Sequence, residues 1–196
     1  MKFNLQLFGG RGGGSRGGGG GVFGPAGASH TIGAVAKRAN PNYAKGLQYQ
    51  VNCQRVVYTA EMLRRGYNVE AKPAILNGVD KPANNWQRGF KNQSWEYTGG
   101  NSEAEVEQRV ISTMKSFGPN ARGIVYVAWK GGSAHVFNIE TDKKGNVRAY
   151  DAQPGSTRKS LLHDYIQEAK TDSVYVSRVD NLNPNYNVMR GMMKRK

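Results

Sequence analysis

The chain has 196 residues, 38% of them hydrophobic, a single cysteine and a formal net charge of +14. That is room for one compact domain with tails and not for a second core, and one cysteine excludes both an internal disulfide and a cysteine-built zinc site. No stretch approaches the roughly 20 apolar residues of a membrane-spanning helix, and Met1–Phe8 is too short and too interrupted for a secretory signal, so no membrane partner is expected.

In Met1–Phe8, Phe3, Leu5 and Leu7 alternate with Asn4 and Gln6, which is strand spacing. Residues 9–29 are dominated by glycine and predict a flexible linker. Together they read as a docking peptide (1–8) that adds to another protein's sheet, held on a leash. The compact domain is expected over residues 30–180. Ala34–Ala39 predicts a short helix. From Asn52 to Arg65 the period is helical, with Val56, Ala60 and Leu63 on one face and Gly66 as the C-terminal cap. Asn68–Ala71 predicts a short strand stopped by Pro73. Residues 74–100 are rich in Asn, Gly, Gln and aromatics, and read as an excursion that walls one side of a cleft, with Trp86, Trp95 and Trp129 assigned to packing.

Ser102–Phe117 predicts a second helix with Ser102 and Glu105 at capping-box spacing. Three strands with short turns follow, Gly123–Trp129, Ala134–Glu140 and Asn146–Ala152, an antiparallel meander. Lys159–Ala169 predicts a last helix and Ser173–Val179 a last strand. Residues 181–196 read as a loose basic tail. Six bases and no acid lie in residues 1–45, and five bases against Asp180 in residues 178–196, which leaves 17 bases and 13 acids between. The positive excess therefore sits mainly in the tails, where it predicts at most an unspecific contact with nucleic acid.

The chemistry gathers around Cys53. A thiolate is the nucleophilic form of cysteine, and the first turn of a helix favours an anion beside it. A nearby imidazolium would favour it further. Helix-start N–H groups can hold a developing oxyanion, and Gln50, Asn52 and Gln54 offer side-chain amides for the same purpose. His135 lies in an apolar strand with Phe137 and Ile139 on its face. A hairpin turning near Lys144 sets residue 135 opposite residues 151–154, so Asp151 or Gln153 can reach the imidazole. His30 and His163 are less well placed, in the linker region and on a surface helix.

Three blocks carry a resemblance: Asn52-Cys53-Gln54-Arg55 with Ala60–Ala71 behind it, Ala134-His135-Val136-Phe137-Asn138, and Asp151-Ala152-Gln153-Pro154-Gly155. Together they resemble the papain-fold toxin domains with glutamine-deamidase activity, over about residues 45–165. The resemblance implies an α+β, papain-like fold in which the nucleophile helix packs on an antiparallel meander, preceded by a flexible glycine-rich arm. It implies Cys53 as nucleophile, His135 as base and Asp151 as orienter, with Gln153 matching a glutamine of the third block. Asn52, Gln50 and Gln153 are the candidates for orienting substrate or oxyanion; no metal and no cofactor are expected. One departure is Val56-Val57, where many members carry a small residue or a second cysteine.

The expected activity is thioester formation on a glutamine side chain of a host protein, resolved by water. A cysteine protease or a transglutaminase would share the first half-reaction. Met1–Phe8 with Gly9-Gly10 is similar to the start of many phage head proteins. That implies a phage capsid partner for residues 2–8, a location in the virion or the bacterial cytoplasm, and an alternative identity as a non-enzymatic capsid-associated protein.

Overall fold

The computed structural model describes residues 20–196; the expected docking peptide 1–8 and the greater part of the glycine segment lie outside the described residues. Helices α1 (Gly20–Phe23), α2 (Ile32–Arg38), α3 (Leu47–Gln50) and α4 (Cys53–Arg64) lead to strand β1 (Val69–Ala71). Helix α5 (Lys81–Asn84), a 3-10 turn (Trp86–Arg88), strand β2 (Glu96–Tyr97) and helix α6 (Glu103–Ser116) follow. Strands β3 (Arg122–Trp129), β4 (Ala134–Thr141) and β5 (Val147–Tyr150), helix α7 (Leu161–Glu168), strand β6 (Ala169–Arg178), helix α8 (Tyr186–Met192) and strand β7 (Met193–Arg195) complete the chain.

The main sheet is antiparallel, in the order β2-β6-β3-β4-β5. The expected meander is its β3-β4-β5 half, and β6 closes back against the free side of β3. Alternation along the strands divides the core. Ile124 and Val136 face α4, while Val125, Val127, Phe137 and Ile139 face α6 and α7. The result is a helix–sheet–helix sandwich of α+β class.

Helix α4 is the buried element on one face. Its residues from Arg55 to Leu63 are all buried, several without any exposure, on every side and not on the single stripe that its period suggests. Its charges are correspondingly paired. Glu61, 1% exposed, accepts from Arg122 Nε at 2.8 Å, Arg122 Nη2 at 2.9 Å and Arg65 Nε at 2.7 Å. Arg64 donates to Glu140, and Arg55 to Asp80 and the Gly191 carbonyl. Gly66 ends the helix at φ +89°, and the Gly27 carbonyl occupies the place a Cβ would take. Only glycine fits there. The helix from Ser102 forms as expected, with Ser102 Oγ accepting from Glu105 N–H, although the Glu105 carboxylate accepts from Asn101 N–H and not from Ser102.

Two sequence expectations are corrected. Residues 181–196 are not a loose tail: α8 packs against α4, and β7 pairs antiparallel with β1 in a separate two-stranded sheet. Met189, Met192 and Met193 are buried there, and these apolar anchors outweigh the polar composition around them. The described end of the expected linker is also fixed. Phe23 is 2% exposed against Tyr67 and Tyr186, and Gly27 N–H donates to the Gly66 carbonyl at 2.8 Å. One buried aromatic side chain and a few hydrogen bonds to the end of α4 hold that stretch down.

Because Met192 is wholly buried, Met192→Ala is expected to lower unfolding stability by about 2–5 kcal/mol in urea denaturation. A loose tail would leave the midpoint where it is.

Candidate active site

Cys53 is the first residue of α4, and its position is set by the residue before it. Asn52 takes the N-cap position but makes no side-chain cap hydrogen bond. Its amide is turned inward, fully buried: Nδ2 donates to Asn40 Oδ1 at 3.3 Å and to the Lys72 carbonyl at 3.1 Å, while Oδ1 accepts from Gln153 Nε2 at 3.3 Å. Asn40 Nδ2 in turn donates to the carbonyls of Tyr49 and Gln153, at 2.8 and 3.0 Å. This cluster ties the start of α4 to the loop that follows β5. Asn52 is therefore not placed to orient substrate or oxyanion; buried amides have to satisfy one another, and here both ends are consumed inside.

At the opposite wall, His135 is the second residue of β4, on the face that carries Phe137 and Ile139. Its ring stacks on Trp129 at 5.8 Å and meets Tyr165 edge-on at 5.8 Å. Imidazole Nε2 donates to Asp151 Oδ2 at 2.7 Å, and the ring borders the same cleft as Cys53. With Nε2 engaged, Nδ1 is the nitrogen left for the sulfur. Asn138, two residues along, donates from Nδ2 to the Val57 carbonyl at 3.1 Å and so fastens α4 against β4.

Asp151 is 2% exposed and fully occupied. The register pairs Asn138 with Tyr150, which by extension sets 135 opposite 153. The ladder ends there, and the chain folds back on itself through Asp151 N–H to Ser156 O at 2.9 Å and Ser156 N–H to Asp151 O at 2.7 Å. This turn brings the Asp151 carboxylate to the imidazole. Oδ1 accepts from Gln153 N–H at 2.9 Å, and Oδ2 accepts from both His135 and the Tyr165 hydroxyl, the latter at 2.8 Å. Burial alone would push the His135 pKa down, but the hydrogen bond and negative charge of Asp151, with Cys53 also near the ring, outweigh it and raise it to about 10. The ring is thus an imidazolium at neutral pH.

Cys53 and His135 line a cleft. On one side it holds about 470 Å³, with Gln50, Gln54 and Gln153 on its walls; on the other it narrows to about 240 Å³ against Trp86 and Tyr126. Gln50 and Gln54 therefore border the cleft. Gln153 borders it too, while its Nε2 is spent on Asn52. Among the described residues the N–H groups of Cys53 and Gln54 have no acceptor, and they stand at the positive end of α4. The excursion 74–100 supplies Trp86 as a wall of the cleft, as expected. Tyr165, Asn40 and Trp129 are the site residues that sequence reasoning missed or assigned to packing alone. Tyr165 is the most telling: it lies on the face of α7 toward the sheet, where its hydroxyl is indistinguishable in sequence from an ordinary core tyrosine. Among the described residues no group of three or more His, Cys, Asp or Glu is placed to hold a metal ion.

With this geometry in view, residues 51–156 match the family described as papain fold toxin 1, glutamine deamidase. Among solved structures, the chain is similar to a G161 variant of the Salmonella effector SpvD, with 18% identity, 81% of each chain covered and a TM-score of 0.45. No curated protein matches. The matched block holds Cys53, His135 and Asp151 and spans more than half of the 196 residues, and the chain belongs to the papain-fold toxin family of glutamine deamidases.

Proposed function

We propose that this protein deamidates a glutamine side chain on a target protein, with Cys53 as nucleophile, His135 as acid and base, and Asp151 as the group that orients and charges the ring. The observation that carries the reading is an imidazole bonded to Asp151 Oδ2 that shares the wall of an open cleft with Cys53. The thiolate adds to the carboxamide carbon, and the oxygen takes up the negative charge beside the N–H groups of Cys53 and Gln54. The His135 imidazolium gives its proton to the nitrogen, the C–N bond breaks, and ammonia leaves a thioester. Water then attacks the thioester with neutral His135 as base, which releases glutamate and returns the thiol. Gln50 and Gln54, on the walls of the cleft, are suited to hydrogen-bond the incoming carboxamide. An amine in place of water would give transglutamination and a main-chain carbonyl would give proteolysis; the family description favours the glutamine side chain with water.

Cys53→Ala and His135→Ala are each expected to lower ammonia release by about 10³-fold or more, with circular dichroism unchanged. The companion measurement is mass spectrometry of the target, where deamidation adds about 1 Da at a glutamine. Full activity in Cys53→Ala would end the proposal.

The pH response follows from the raised pKa of His135. The protonated ring contributes stability in full below its ordinary value of 6.5, and that contribution is lost as pH rises through about 10. The alkaline limb of kcat/KM is expected in the same range, since the leaving nitrogen needs the proton. In Asp151→Asn, burial is left with less to oppose it, so the limb should move down by about one pH unit or more. NMR titration of the His135 ring reads the same shift directly, and an unmoved pKa would remove Asp151 from its proposed role.

A further inference from the structure

Beyond the reactive pair the cleft continues into a recess built from aromatic rings. Strand β3 brings Tyr126 opposite Val136 of β4 on one side and opposite Tyr175 of β6 on the other. Trp86 lies nearly parallel to Tyr126, centroids 6.1 Å apart at 15°, and Trp95 meets Trp86 edge-on at 5.1 Å. Tyr175 meets Tyr126 at 6.1 Å and 61°. These four rings and Gln87 enclose about 340 Å³. Trp86 and Tyr126 are shared with the narrow side of the cleft that holds Cys53 and His135, so one wall serves both spaces.

Four large aromatic side chains, each only half-buried, leave apolar surface in water beside a reactive thiol. No acid and no base lines the recess, so a charged side chain entering it would lose hydration without gaining a counter-ion. An apolar ring, in contrast, finds faces and edges at stacking distance. The spacing sets its place on the substrate. Neighbouring strands lie about 4.8 Å apart, so the recess begins one strand beyond β4 and ends two strands beyond it, and an extended peptide advances about 3.3 Å per residue. Resting on the glutamine chemistry proposed for Cys53, we infer that the recess is a specificity subsite for a bulky uncharged side chain, preferentially aromatic, two or three residues from the target glutamine.

The test uses the full chain and short peptides in which the target glutamine is replaced by its diazoketone analogue, which alkylates an attacking thiolate. Phe, Leu, Lys or Asp is placed in turn at each of three positions on either side, and capture of Cys53 is timed by intact mass. Phe at one position two or three residues away is expected to react about tenfold faster than Asp or Lys there. The Phe-to-Asp ratio, which is internal to each variant, should fall toward one in Trp95→Leu and in Tyr175→Ser, on opposite walls. Equal rates for all four residues at every position, or a preference for Lys, would overturn the subsite while leaving the glutamine reading standing. If no peptide were captured while iodoacetamide still alkylated Cys53, the glutamine reading would fall and the subsite with it.

Discussion

Everything in this molecule is arranged around a helix that is buried on all sides. Helix α4 packs on the sheet, on α2, on β1 and on α8, and a helix in that position can leave no charge without a partner. Arg55, Glu61, Arg64 and Arg65 each reach a different segment: the loop around Asp80 and α8, the β3 strand, the β4 strand, and the carbonyls that follow β6. One helix thereby fixes the mutual positions of segments far apart in sequence, and its first residue is Cys53. The depth of the helix is what holds the thiol in one place while leaving it beside an open cleft.

The same logic of enforced pairing operates at the two ends of the site. At the α4 end, Asn40, Asn52 and Gln153 satisfy one another out of water, so three amides from three parts of the chain must come together or be left unpaired. At the β4 end, Asn138 spends its amide nitrogen on a carbonyl of α4. A hydrogen bond of this kind contributes about 1 kcal/mol when made and costs about 1–3 kcal/mol when its partner is removed. These groups stabilise less than they specify: a shifted register at either end would strand several buried polar atoms at once.

Much of this was legible in the residues. An apolar run and two short glycine-bearing turns mark the three meander strands, helical spacing marks α4 and α6, and hairpin arithmetic about Lys144 sets His135 near Asp151. That arithmetic worked although 135 falls opposite 153 in the extended register, because the turn after Tyr150 swings Asp151 back. Other features were out of reach for identifiable reasons. The sequence shows that Asn52 has an amide, but its direction is decided by Asn40 and Gln153, the latter 101 residues away. The last sixteen residues look polar by composition, and their one apolar signal, Met189, Met192 and Met193 at i, i+3 and i+4, is too short a run to stand out among the Asn and basic residues around it. Tyr165 belongs to a short helix whose other inward residues are aliphatic, and nothing local distinguishes a ring that fills space from one whose hydroxyl reaches a carboxylate.

The crowding of Asp151 has a mechanical consequence. One of its oxygens is claimed by a backbone N–H and the other by two side chains, so the carboxylate has no slack with which to follow a moving neighbour. Flipping the imidazole about its Cβ–Cγ axis would strip that shared oxygen of one donor, and intermediate angles would turn the ring's face off Trp129. The ring is therefore locked in azimuth, with Nε2 held on the carboxylate and Nδ1 on its other edge. For the deamidation proposed here, that makes the substrate the moving part: it would have to travel past a stationary ring to collect its proton.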